Sequence, residues 1–285
     1  MRRSERSRRA AARHDDGAGA GDDRILLVRS LQLVLVVVFL AGWQFLPQIE
    51  SLSDRFRFVD PIYVSSPTKV WDELYYQFVG NDSGGGEMWS FMWPTVWASI
   101  IGLGTGIVAG LVIGLVLAES RLANRVFRPF LIAMNAVPRI ALVPVFIIAF
   151  GPSLRGTAAV SFAVVFFVAF FNAYEGGSSV QTEVLQNARL LGASRLQVLG
   201  RVRLPYAVAW TFASLPLSVT FAVISVVTAE VLIGARGLGR MLLISMQTGA
   251  ASLTFAVTII LSLLGLAGVA LAEVTRARLL HWWRP

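Results

Sequence analysis

The sequence predicts an all-α integral membrane protein with six transmembrane helices. Hydrophobic residues make up 55% of the 285, and the mean hydropathy is +0.66. Six apolar runs each approach the roughly 20 residues that carry a helix across a bilayer. Between them lie polar segments among which arginine is unevenly shared, as topology signals require.

Residues 1–24 form a charged, Gly/Ala-rich tail carrying Arg2, Arg3, Arg6, Arg8, Arg9 and Arg13. That composition cannot bury a core, and the tail is expected to be disordered. The first transmembrane helix is predicted at 25–46. Its length exceeds a secretory h-region, and no small-residue cleavage pattern follows it, only Pro47 and polar sequence.

An extracytoplasmic segment, 47–93, contains a Gly84-Gly85-Gly86 turn and a short surface helix over Pro67 to Val79. Trp71, Tyr75, Trp89, Trp93 and Trp97 suit the headgroup zone, where amphipathic rings settle. Five more spans follow, near 94–118, 129–150, 157–173, 207–233 and 251–272. Gly102, Gly106, Gly110 and Gly114 recur every fourth residue in the second, which strips one helix ridge of side chains and predicts close helix packing.

An even number of spans puts both termini on one side of the membrane. Most of the 25 Lys and Arg lie on that side, in the tail, after the second span, between the fourth and fifth, and in the C-terminal tail 273–285. The other side holds Arg55, Arg57, Lys69, Arg155, Arg236 and Arg240, and Arg139 falls within a span. The bias predicts cytoplasmic termini. It also accounts for the net charge of +8 without nucleic-acid binding. The closing His281-Trp282-Trp283-Arg284 reads as an interface anchor.

The chain contains no cysteine, and its two histidines, His14 and His281, are far apart. That excludes a disulfide framework and a thiolate metal site. No Gly-rich phosphate loop ending in Lys-Ser/Thr is present, and no nucleophile–base pair or metal cluster emerges. The chain is not expected to be an enzyme or to bind a cofactor itself.

One polar segment, Thr182 to Pro205, interrupts the apolar pattern. A short helix is predicted to stop at Gly192, since glycine favours helix termination. A second starts from Ser194 with Gln197 three residues on, the pattern of a capping box. Leu204-Pro205 then opens the next helix, where proline is tolerated. Ala188, Gly192, Ala193-Ser194 and Leu204-Pro205 together resemble the cytoplasmic "EAA" loop of ABC-importer permeases: Glu-Ala-Ala, three residues, Gly, nine residues, Ile, one residue, Leu-Pro. Gly192, Leu204 and Pro205 are in register, and Val202 stands for the Ile. Gln186 and Asn187 depart from the first two letters, and Gln186 keeps a side-chain acceptor but not the carboxylate charge with which the family's Glu would form an ion pair.

Two further stretches carry the resemblance. Asn135-Ala-Val-Pro-Arg-Ile-Ala-Leu-Val-Pro144 is similar to third-span sequence of the nitrate/sulfonate/taurine branch. Its Pro138 and Pro144 are expected to break backbone hydrogen bonding twice. Broken backbone at membrane depth is tolerated against protein or a water-filled cavity. Arg139 there either pairs or snorkels, or meets the substrate. Glu230, followed by Gly237-Leu238-Gly239, is similar to the family's fifth-span end and outer loop. It either lines an outer gate or is a carboxylate near the interface, and Arg236 and Arg240 either meet a delivering protein or are ordinary loop arginines.

The resemblance spans about Val64 to Ala272 and implies a type I ABC importer permease, with a core at 94–272 and a coupling loop at 182–205. It implies a prokaryotic plasma-membrane protein that moves a small solute, either a nitrate-, sulfonate- or taurine-like anion or a vitamin precursor. Implied partners are two cytoplasmic ATPase subunits binding ATP-Mg, an extracytoplasmic solute-binding protein, a second permease copy in a homodimer, and membrane lipid. Gln186, Asn187, Ala188, Gly192, Ala193, Leu204 and Pro205 would couple to the ATPase, and Asn135, Arg139 and Glu230 are pathway candidates. Two other classes stay open. An ion-gradient carrier would use Arg139 and Glu230 as its charge relay, and a membrane scaffold would leave the loop without effect on uptake.

Overall fold

The computed structural model describes residues 26–49, 64–80 and 86–280. The readings of the 1–24 tail, Gly84-Gly85 and His281–Arg284 lie outside them. Contacts divide the chain into two compact units, 1–72 and 73–285.

In the first unit, α1 (Leu26–Phe45) is apolar on every side and has no buried residue in its span, the pattern of a membrane helix rather than a soluble one. A 3₁₀ turn, Leu46–Gln48, follows. The Gln44 amide receives the Thr68 backbone N–H at 3.3 Å and donates to Thr68 Oγ1 at 3.2 Å. Thr68 belongs to the first turn of α2 (Pro67–Val79), the predicted surface helix, which opens on a proline.

Among its described residues the second unit is built of helices, with no strand. It comprises α3 (Met88–Glu119), α4 (Arg121–Ala136), α5 (Val143–Phe150), α6 (Leu154–Ser178), α7 (Thr182–Leu190) and α8 (Arg195–Val198). After a π-helical turn at Leu199–Arg203 come α9 (Leu204–Ala213), α10 (Leu215–Ile233), α11 (Leu238–Gln247) and α12 (Ala251–Leu279). Among the described residues, five helices, α1, α3, α6, α10 and α12, are long and apolar enough to cross a membrane.

The predicted third span is not one helix. Arg121–Ala136 ends where Val137 turns extended (φ −65°, ψ 128°), as the residue before a proline prefers. A 3₁₀ turn, Arg139–Leu142, then leads into α5. Pro144 occupies the first turn of α5, where its missing N–H has no intrahelical partner to lose. The backbone is therefore broken once, at Val137-Pro138, and not twice. The fifth predicted span is divided too: α9 stops at Ser214, and α10 restarts with Pro216 in its first turn.

α6 is the central element, with more than half of its most apolar stretch buried. Its chief partner is α3. A Cβ on Gly102 would strike Ser161, on Gly106 would lie 2.9 Å from Val165, on Gly110 2.7 Å from Ala169, and on Gly114 2.8 Å from Ala173. Each step of four on α3 matches a step of four on α6, in the same direction. The two helices therefore run parallel. Parallel neighbours require the segment between them to return the chain to its starting side, and α4–turn–α5 is that return. The broken third span crosses in two pieces.

Candidate functional site: a polar loop, an interhelical cavity and a buried carboxylate

The segment 182–205 is built by local sequence. α7 has no buried residue. Its end is closed by Gly192 N–H to Arg189 O and Ala193 N–H to Ala188 O, both 3.0 Å. These are the two bonds of a Schellman motif, which places a left-handed residue after the helix, and Gly192 has φ +82°. Ser194 Oγ then accepts from the Gln197 N–H, and Gln197 Oε1 from the Ser194 N–H at 2.8 Å, completing the capping box. Leu204 and Pro205 open α9 directly after the π turn.

Gln186, Asn187, Ala188, Gly192 and Ala193 thus lie on one helix and its terminating turn, and nothing approaches within 4 Å of the place where a Cβ on Gly192 would sit. The loop also presents apolar side chains that pattern reading overlooked. Leu190, Leu191 and Leu196 are 85%, 88% and 79% exposed. Three exposed leucines beside a bare glycine form an apolar patch of the kind that marks a docking surface. Their signal in the sequence was the run of unpaired leucines inside an otherwise polar segment.

A second feature is a cavity of about 510 Å³ bounded by α4, α5, α6 and α10. Asn135, Val137 and Pro138 line it at the helix break, with Phe221, Ser225 and Thr228 opposite. Ser225 and Thr228 donate their hydroxyl protons to their own helix, to Ala222 O and Ile224 O, so lone pairs are what they offer the cavity. Arg139 begins the 3₁₀ turn beside Asn135; its side chain lies outside the described residues.

Glu230 is elsewhere. Its side chain is fully buried, and it lines neither this cavity nor the apolar groove of about 380 Å³ between α3, α10 and α12. Thr95 Oγ1 donates to its two carboxylate oxygens at 2.9 and 3.0 Å, and the Gly239 N–H donates to Oε2 at 2.9 Å. A Cβ on Gly237 would coincide with that carboxylate. The Gly-Leu-Gly spacing is therefore explained by what it encloses, and the buried Glu230 clasps α3, α10 and the start of α11. Arg236 stacks over Phe91 at 5.7 Å, and Arg240 is exposed on α11.

The chain is 31% identical over 159 residues to the formylaminopyrimidine transport permease protein ThiX of Halalkalibacterium halodurans, covering 56% of this chain and 64% of that one. It is 27% identical over 165 residues to the riboflavin transport system permease protein RibX of Chloroflexus aurantiacus, covering 58% and 62%. The chain thus spans under two thirds of the length of these curated relatives. In fold it resembles a chain of the MetNI methionine ABC transporter in an inward-facing conformation, with a TM-score of 0.57 at 19% identity, over 70% of this chain and 98% of that one. Residues 106–281 match the family of the binding-protein-dependent transport system inner membrane component, and the chain belongs to that family.

Proposed function

We propose that this chain is the permease subunit of an ATP-driven importer, and that 182–205 is where a separate ATPase subunit engages it. The observation that carries the reading is the loop: a capped, solvent-facing helix ending at Gly192 beside three exposed leucines. Two ATPase subunits closing around ATP-Mg would push α7, and the membrane helices would exchange inward- and outward-facing states. The arginine bias puts this loop and both termini in the cytoplasm. A solute-binding protein would deliver on the opposite side, where Arg236 and Arg240 are placed by the same topology. Catalysis of ATP hydrolysis belongs to the partner.

The cavity at the α4–α5 break, with Asn135, Ser225 and Thr228, is this copy's share of the pathway, completed by a second permease copy. Its described lining is uncharged and combines hydrogen-bonding groups with Phe221 and valines. That composition suits a small polar heterocycle such as a vitamin precursor; the two relatives above are named for transport of formylaminopyrimidine and of riboflavin. An anion is the second reading, favoured by Arg139 standing next to the cavity in sequence. A gradient-driven carrier would need Glu230 as a free relay, and its carboxylate is already engaged by Thr95 and Gly239.

The test is co-purification of the tagged chain from its native membrane in mild detergent. A stoichiometric ATPase subunit is expected. A chain that runs alone, and moves solute in vesicles without ATP, overturns the permease reading.

A further inference from the structure

We propose that Arg203 is the positioning residue that fastens the coupling loop to the α3–α6 pair, so that movement of the loop is delivered to both helices together. This rests on the permease reading above. Arg203 ends the π turn, and its guanidinium reaches two helix ends at once. Its Nε lies 2.8 Å from Glu119 Oε2 at the last residue of α3, and its Nη1 donates to the Gly177 carbonyl near the end of α6 at 2.6 Å.

The contact is enclosed. The two side chains are only 11% and 20% exposed, whereas the Arg276–Glu273 pair is solvated. Arg189, Arg195 and Arg201 of the same loop are all exposed. Nε and Oε2 themselves are shut off from solvent and make a charge contact without an aligned hydrogen bond. Removing either partner leaves an uncompensated charge in a protein environment, which is strongly unfavourable.

What Arg203 grips is one body. α3 and α6 interlock along Gly102, Gly106, Gly110 and Gly114, and the interlock continues to Gly177, whose Cβ would lie 2.9 Å from Ala118. Gly176 in turn abuts α9, where a Cβ would lie 2.7 Å from Trp210. The π turn supplies the geometry. It carries one residue more than an α turn, which rotates the loop side by about 100° relative to an unbroken helix and leaves Arg203 facing the α3–α6 ends. A guanidinium suits the task because its planar fork serves two acceptors simultaneously, which the point charge of lysine does not.

The absence of cysteine allows a direct test. Thr228→Cys places a single thiol in the cavity, and its reaction rate with a membrane-impermeant maleimide reports access. The complex with its co-purified ATPase subunit is compared in nucleotide-free and ATP-vanadate states. With Arg203 intact, the rate is expected to change several-fold between states. Arg203→Ala should keep the ATPase subunit bound and hydrolysing while that change is lost. Arg203→Lys should fall between, and the exchange Arg203→Glu with Glu119→Arg should restore the ion pair and recover only part of the change, since a carboxylate cannot donate to the Gly177 carbonyl. An unaltered access change in Arg203→Ala overturns the assignment. So does loss of the ATPase subunit from Arg203→Ala with no recovery by the exchange, because Arg203 would then be a docking or folding residue. If the unmodified chain retains no ATPase subunit, the permease reading itself fails, which is a separate result.

Discussion

Thr95 and Glu230 lie 135 positions apart in sequence and share one hydroxyl proton at 2.9 and 3.0 Å. The Thr95 oxygen also accepts the Leu238 N–H at 2.8 Å. Together they supply what α11 lacks in its own sequence. Its N-cap, Gly237, has no side chain to receive the first free N–H groups, and a carboxylate from α10 takes that place. Anionic groups are favoured at helix N-termini.

Thr95→Val tests this clasp, since it keeps shape and removes the hydroxyl. The Leu238 N–H and the carboxylate both lose a buried partner, at a cost of about 1–3 kcal/mol. Thermal unfolding in detergent should show a lowered midpoint for Thr95→Val and a near-normal one for Thr95→Ser. Equal midpoints for all three would mean that the clasp contributes nothing.

The glycine seam makes a paired prediction. Gly110→Ala would bring a Cβ to 2.7 Å from the Phe166 carbonyl and from Ala169, and overpacking of that kind costs about 1–3 kcal/mol. Gly104, on the same helix, has open space where its Cβ would go. Gly104→Ala should be neutral or stabilise by roughly 0.5–1 kcal/mol, because a helical glycine loses more backbone freedom than alanine. Opposite signs in the two melting shifts are expected; matching shifts would show that the seam does not set α3–α6 packing.

These two cases mark where sequence reasoning fails and where it succeeds. The spacing of Gly102 to Gly114 is periodic along one helix, and the Ser194–Gln197 box and the Gly192 stop are local, so both are legible in one dimension. The partner of Glu230 was not legible, because nothing near residue 230 points to residue 95. Pro138 and Pro144 looked alike in the sequence, yet one breaks a helix and the other begins one, a difference decided by where Val137 turns extended. Arg203 read as a topology charge because its two acceptors are brought to it by α3 and α6.

Ser194→Ala removes the acceptor of the capping box while leaving Gln197 in place. N-cap losses cost about 1 kcal/mol, and α8 has only four residues to absorb it. The expected outcome is faster amide hydrogen exchange across 194–203 with unchanged exchange in α6. Uniform acceleration through the whole chain would show that the cap supports the fold globally rather than the loop alone.

Loop docking is tested by separating backbone from surface. At φ +82°, Gly192→Val is strained by about 1–2 kcal/mol, and any loss of coupling it causes is ambiguous. Gly192→Asp is the sharper variant, because Asp visits the left-handed region and nothing beyond its chain neighbours lies within 4 Å of where its Cβ would sit. Apart from the modest cost of an anion at a helix C-terminus, its charge would be felt by a partner seated on the turn. Gly192→Asp should therefore melt close to the unmodified protein and still lose ATP-coupled uptake, with Gly192→Asn milder. Leu191→Ser and Leu196→Ser, at 88% and 79% exposed positions, should weaken retention of the ATPase subunit at least tenfold together, equivalent to about 1.4 kcal/mol. Full retention in the double variant would show that the leucines are not the docking patch, and normal uptake by Gly192→Asp would move the coupling contact away from this turn.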